Sequence, residues 1–235
     1  MDPSTMLLGH TLPQLTGESQ FGQIAINDYL ADFCGLIVTF PSSHHPVWLS
    51  ELGILQKLSC QFEARQCRVV GLHIATLVQQ RQFLQHVNDT HKAQPNFPII
   101  ADADAHLFHR LCLCQENAAE CVADVYSLQF SATILIDLNH IIQSISYYPI
   151  STGRNFYETL RFVDALELAN SHRVVTPCNW KMNDDVFIDP LLTNSDARAL
   201  FLQGYHEIQP YLRLTSSTAL EQYDAYYEEN GEKQV

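Results

Sequence analysis

Residues 35–74, GLIVTFPSSHHPVWLSELGILQKLSCQFEARQCRVVGLHI, decide the fold class. The run Gly35-Leu36-Ile37-Val38-Thr39-Phe40 is short, apolar and β-branched, which predicts a buried strand. From Trp48 to about Arg65, Leu49, Leu52, Leu55, Leu58 and Phe62 recur every three or four residues and predict a helix with one apolar stripe. A second β-branched run, Arg68-Val69-Val70-Gly71-Leu72-His73-Ile74, follows it. Strand, helix and strand in this order predict an α/β sheet with helices packed on it.

The same alternation extends outward. Phe97-Pro98-Ile99-Ile100, Ala132 to Ile136 and Ile141 to Ser146 read as further strands. Helical spacing returns from about Leu77 to Val87, and again from Asn155 to Ala169 with Phe156, Leu160, Val163 and Leu166 inward. After Thr176-Pro177 the period weakens and turn residues gather in Asn183-Asp184-Asp185 and Asp189-Pro190, so a smaller C-terminal unit is expected from about residue 176. The acidic stretch from Ala225 to Val235 lacks aliphatic anchors and is expected to be disordered. No internal repeat is visible.

Composition limits what such a chain does. Its 235 residues are 46% hydrophobic and 17% charged, enough apolar material for a sizeable core. Thirteen basic against 26 acidic residues give a formal charge of −13, which repels phosphate backbones and anionic lipid, so nucleic acid and membrane surfaces are not expected partners. The longest apolar runs are strand-sized, and Met1-Asp2-Pro3 lacks the basic start of a secretory signal. Seven cysteines, Cys34, Cys60, Cys67, Cys112, Cys114, Cys121 and Cys178, form no CxxC pair; an odd set of this kind fits a reducing compartment, and a cytoplasmic location is expected.

Five motifs follow one another in a specific order: Leu7-Leu8-Gly9; Pro41-x4-Pro46-Val47-Trp48-x2-Glu51-Leu52-Gly53; Ser131 to Asp137; Tyr148-Pro149-x-Ser151-Thr152-Gly153-Arg154-Asn155-Phe156; and Thr176-Pro177-x-Asn179-Trp180-Lys181. This order resembles the one-cysteine subfamily of the peroxiredoxins, over about Leu7 to Thr215. The resemblance implies a thioredoxin-like fold, with a central mixed sheet flanked by helices and a small C-terminal peroxiredoxin domain. The implied organisation is an extension over 1–6, the thioredoxin-like domain over 7–175, a dimer-packing domain over 176–224 and a tail over 225–235. It also implies peroxide reduction through a thiolate and a dimeric state, as a homodimer or a heterodimer with a related peroxiredoxin. No cofactor or metal is implied.

The family chemistry needs a thiolate at a helix N-terminus, where backbone N–H groups and the helix dipole lower the thiol pKa. Carried onto this sequence, the helix-opening proline is Pro41, but the hydroxyl position holds His45, the peroxidatic cysteine position holds Trp48 and the arginine position holds Ser131. Trp48 has no nucleophile and Ser131 no charge, so family-type activity is expected to be absent. The supporting charged residues Glu51 and Arg154 are retained and read as an ion pair between the helix start and the Gly153-Arg154-Asn155 loop. The lipase-like site described for some one-cysteine members is also missing its groups: Phe33 stands at the serine position, Asn27 at the histidine and Asn139 near the aspartate.

Other assignments stay open at this level. A relocated thiol, Cys34, Cys112 or Cys114, gives a weak peroxidase; His109, Cys112, Cys114 and Cys121, whose spacing matches no common zinc pattern, or His44 and His45 with Glu51, where adjacent histidines usually point in different directions, give a metal- or redox-sensing alternative. Trp48 either plugs the vacated pocket or, with the two histidines, forms an exposed patch for a partner.

Overall fold

A computed structural model describes residues 8–42, 45–113, 130–216 and 220. His44, Cys114, Cys121 and the acidic tail lie outside these residues. The chain divides into two compact units at Phe156/Tyr157, ahead of the boundary near 175 expected from the loss of helical period. The reason is local to the second unit: Ala165, on a helix whose sequence continues without a break from the first unit, is buried in one cluster with Val174, Trp180, Val186 and Ile188.

The first unit is built on a seven-stranded mixed sheet of order β2-β1-β5-β4-β3-β6-β7. Its strands are β1 (Thr16–Ser19), β2 (Gly22–Ala25), β3 (Cys34–Phe40), β4 (Cys67–His73), β5 (Ile99–Ala101), β6 (Phe130–Ile136) and β7 (Ile142–Pro149). Strands β3, β4 and β5 run parallel, while β6 and β7 continue the sheet antiparallel. This is the central mixed sheet of a thioredoxin-like fold. The β1–β2 hairpin was not expected: TGES and GQIA are too short and polar to show a period of two. The third expected strand starts at Ile99 and not at Phe97, because Pro98 has no N–H to give a ladder and contributes only its carbonyl, to Gly71 N–H at 2.8 Å.

Alternation divides the side chains of the sheet between two faces. Ile37, Val70, Leu72, Ala132, Ile134 and Ile136 enter one cluster with Ile26 and Leu30 of α1 (Ile26–Leu30) and with Leu107 and Phe108 of α4 (His106–Arg110). The other face carries Phe40 and His73, whose rings meet Trp48 of α2 (Pro46–Glu63) and Phe83 of α3 (Leu77–His91). Helix α2 buries Trp48, Leu52, Leu55, Leu58 and Phe62, the expected stripe shifted by one residue at its start. Helix α3 opens on a capping box, in which Thr76 Oγ1 accepts from Gln79 N–H at 3.3 Å and Thr76 N–H donates to Gln79 Oε1 at 2.9 Å. Asp102 holds α4 by accepting from Leu107 and Phe108 N–H, and burial pushes its carboxyl above the ordinary range.

The second unit holds most of α5 (Phe156–His172), a four-stranded sheet of order β10-β11-β9-β8, and α6 (Asn194–Leu200). Its strands are β8 (Val174–Val175), β9 (Val186–Ile188), β10 (His206–Gln209) and β11 (Leu212–Thr215). Trp180 anchors it, fully buried, with its indole N–H donating to Asp184 carbonyl at 3.2 Å. Arg213 is also buried and donates to the carbonyls of Asp189 and Leu192 at 2.8 and 2.9 Å, tying β11 to the turn before α6. Among the described residues no helix is long and apolar enough to cross a membrane.

Candidate functional site

The site begins where β3 ends. Pro41 is buried and directs the chain out of the sheet, and His45 caps α2 with extended backbone (φ −107°, ψ 127°) but no side-chain hydrogen bond to the helix. Pro46 occupies the first helical position, where its missing N–H costs nothing. No acidic residue sits in the first turn, so the positive end of the helix dipole is uncompensated there. The first turn at this end of the helix carries the indole of Trp48.

Trp48 is 0% exposed. Its ring lies edge-on to Phe40 with centroids 6.4 Å apart, and tilted against His45 at 4.7 Å. The indole N–H, the one polar atom of the side chain, donates to Ser42 Oγ at 3.3 Å. Full burial with the donor satisfied is the arrangement of a plug, not of an exposed docking patch. Ser42 was not singled out from the sequence; a serine in a loop carries no local sign that it will meet a side chain six residues on.

Glu51, one turn further along α2, forms a buried ion pair with Arg154, the two side chains being 2% and 1% exposed. Arg154 Nε donates to Glu51 Oε1 at 3.0 Å, Nη2 to Oε2 at 2.5 Å, and the Arg154 backbone N–H to Oε1 at 2.8 Å. The guanidinium also donates to the carbonyls of Ala132 at 2.8 Å and Thr39 at 3.1 Å. One cation thus joins α2, β3, β6 and the loop before α5. Its carbon lies 5.3 to 5.9 Å from the ring centres of Phe40, Phe156 and Trp48, an aromatic surround that adds attraction at a buried site.

Ser131 is fully buried on β6, next to Ala132, and alternation turns it to the face that carries Phe40. Its Oγ has no hydrogen-bond partner among the described residues; the same holds for Thr133 Oγ1 and His45 Nδ1. A buried hydroxyl without a partner costs about 1–3 kcal/mol. Ser131→Ala is therefore expected to stabilise the protein by about 1 kcal/mol in urea unfolding, the small packing loss offsetting part of the gain. A destabilised Ser131→Ala would mean that the hydroxyl has a partner.

The remaining candidates lie apart from this cluster. Cys34 and Cys67 stand at the first residues of β3 and β4, the opposite end of those strands from Trp48. Cys112 follows α4, which packs on the other face of the sheet; its charge, after burial, helps raise the Tyr147 phenol on β7. Cys60 and Cys178 are exposed. His109 lies in the last turn of α4, and among the described residues no group of three or more His, Cys, Asp or Glu is placed to hold a metal ion. Asn27 is a buried clamp whose Oδ1 accepts from Leu15 N–H at 3.2 Å and whose Nδ2 donates to Leu12 carbonyl at 3.4 Å. Phe33 lies under the Arg68 guanidinium at 3.8 Å, and Asn139 sits in an exposed turn capped by Asp137. These three do not constitute a hydrolytic site.

Comparison with known proteins matches the architecture. The model of the AhpC/TSA family matches residues 8–145, and that of the C-terminal domain of 1-Cys peroxiredoxin matches residues 165–204. A 1-Cys peroxiredoxin of Dictyostelium discoideum is 31% identical over 208 residues, covering 88% of this chain and 84% of its own. Peroxiredoxin-6 of Gallus gallus is 31% identical over 203 residues, covering 85% and 90%. Among solved structures, the yeast mitochondrial 1-Cys peroxiredoxin superposes with a TM-score of 0.81 at 29% identity, covering 91% of this chain and all of its own. A mutant of the Peroxiredoxin 6 of Arenicola marina gives 0.78 at 25%, covering 90% and 98%. Pro41 stands just after β3, five residues ahead of α2, which Pro46 opens instead; with the sheet and the Glu51–Arg154 pair in place, the chain belongs to the peroxiredoxins, a family of peroxide-reducing proteins, in its one-cysteine branch.

Proposed function

We propose that this peroxiredoxin is a non-catalytic member of its family that acts in the cytoplasm as a binding or regulatory protein in peroxide homeostasis, paired with a second copy or with a related peroxiredoxin. The observation that carries the reading is the complete burial of Trp48 at the helix end where the family chemistry needs a thiolate. Two further features support it. Ser131 offers no charge to a thiolate or to a departing oxygen, and the Arg154 guanidinium already gives hydrogen bonds to Glu51, Thr39 and Ala132.

Peroxide consumption by the reduced protein with a thiol reductant tests this. The wild type is expected at the level of the reductant alone, and Trp48→Cys is expected to gain less than about tenfold, because a thiolate there still lacks the electrostatic partner that contributes about 10²-fold or more in such sites. Turnover by the wild type, or a Trp48→Cys variant as fast as an active peroxiredoxin, would overturn the reading. Light scattering tests the pairing: a dimer mass supports it, and a strict monomer that also fails to join an active one-cysteine peroxiredoxin contradicts it.

A further inference from the structure

Cys34 and Cys67 are register partners on neighbouring parallel strands. Adjacent strands lie about 4.7–4.9 Å apart, and disulfides span Cα separations of about 4.4–6.8 Å. Residues in register point to the same face, here the face that carries α2, since Gly35 on the opposite alternation abuts Leu30 and Ile136 of the other core. The two positions are held together: Cys34 N–H donates to Gln66 carbonyl at 2.9 Å, and Arg68 clamps the segment before β3 through Phe33 and the Tyr29 carbonyl. Both residues are thiols. Their environments differ, Cys34 being half-buried and Cys67 1% exposed.

We propose that Cys34 and Cys67 are a dithiol site that a small hydroperoxide oxidises to a disulfide across β3 and β4. The asymmetry sets the order of events. Burial, and then the charge of Cys34, push the Cys67 thiol up, so it stays protonated and Cys34 reacts first. The Cys34 thiolate attacks one oxygen of the peroxide; the O–O bond breaks, the other oxygen leaves and takes a proton as water or an alcohol, and Cys34 becomes a sulfenic acid. The Cys67 sulfur then attacks the Cys34 sulfur. The S–O bond breaks, hydroxide leaves with the Cys67 proton as water, and the S–S bond closes. Two thiols are oxidised by two electrons and one peroxide is reduced. The site lies at the opposite end of the strands from Trp48, and the proposal is independent of what that pocket does.

The test uses the full chain, hydrogen peroxide and mass spectrometry. After exposure, denaturing alkylation and digestion without reductant, the expected product is one cross-linked peptide pair containing Cys34 and Cys67, lost on treatment with dithiothreitol. Cys67→Ser is expected to leave Cys34 as a sulfenic acid trapped by dimedone, with no cross-link. The proposal is overturned if both residues remain alkylatable while exposed Cys60 and Cys178 oxidise, or if Cys34 pairs with another cysteine. The wild-type cross-link decides the matter even if the variant fails to fold. Formation at the rate of ordinary thiols leaves the non-catalytic reading intact; formation at enzymatic rates overturns that reading and not this one.

Discussion

Trp48→Ala is expected to lower the unfolding free energy by about 3–5 kcal/mol, the range found for removal of a buried large aromatic side chain. The whole indole is buried, its ring contacts Phe40 and His45, and its N–H is satisfied by Ser42, so truncation loses apolar burial and leaves a cavity between the sheet and the first turn of α2. Trp48→Phe separates the two contributions: it keeps most of the apolar area and is expected to cost about 1–2 kcal/mol, for the lost hydrogen bond and the smaller ring. Urea unfolding followed by circular dichroism measures both. Trp180→Phe removes the other indole, and in that background Trp48 emission is expected to be blue-shifted and resistant to quenchers. A Trp48→Ala cost below about 1 kcal/mol, or emission like that of a solvated indole, would show that the ring does not plug the site.

Breaking the Glu51–Arg154 pair is expected to be as damaging. Arg154→Leu strands a carboxylate that, among the described residues, retains only the backbone N–H of residue 154, and it removes the guanidinium donors from the carbonyls of Thr39 and Ala132, the second of which still accepts from Thr39 Oγ1 at 3.3 Å; Glu51→Leu strands the cation among Phe40, Phe156 and Trp48. Each single change is expected to cost about 3–5 kcal/mol, because most of the penalty comes from the buried charge left behind. The double variant is expected to be less damaged than the sum by at least about 2 kcal/mol, since neither charge remains. Additive costs in the double-mutant cycle would show that the two side chains act independently. The pair fastens α2 and the 153–155 loop to β3 and β6.

What the sequence reveals of this molecule depends on whether the signal is local. The β3–α2–β4 segment was legible because runs of β-branched residues and a leucine stripe are properties of a few consecutive residues. The β1–β2 hairpin was not, because its stability comes from pairing β1 with β5 and not from TGES or GQIA themselves. Helix α1, five residues long, shows too little of a period to be seen. At the site, the order of motifs placed His45, Trp48, Glu51, Ser131 and Arg154, but what each one touches is set by tertiary packing. Ser42 meets the indole only because β3 and α2 meet at that corner, and Ser131 lacks a hydrogen-bond partner among the described residues only because the interior closes around it. The facing of Cys34 and Cys67 is a fact of strand register, and register between two strands separated by a helix leaves no mark on either strand.

The central claim is that no cysteine of this chain has taken over peroxide chemistry at enzymatic speed. It is tested most directly by a time course of the fully reduced protein in hydrogen peroxide, with each of the seven cysteines followed by differential thiol labelling and mass spectrometry. The expected result is slow oxidation throughout, with Cys34 and Cys67 converging on one disulfide at a rate within about tenfold of an ordinary thiol of similar pKa and exposure. One cysteine oxidised orders of magnitude faster than the other six would contradict the account and identify this chain as a peroxidase with a relocated nucleophile.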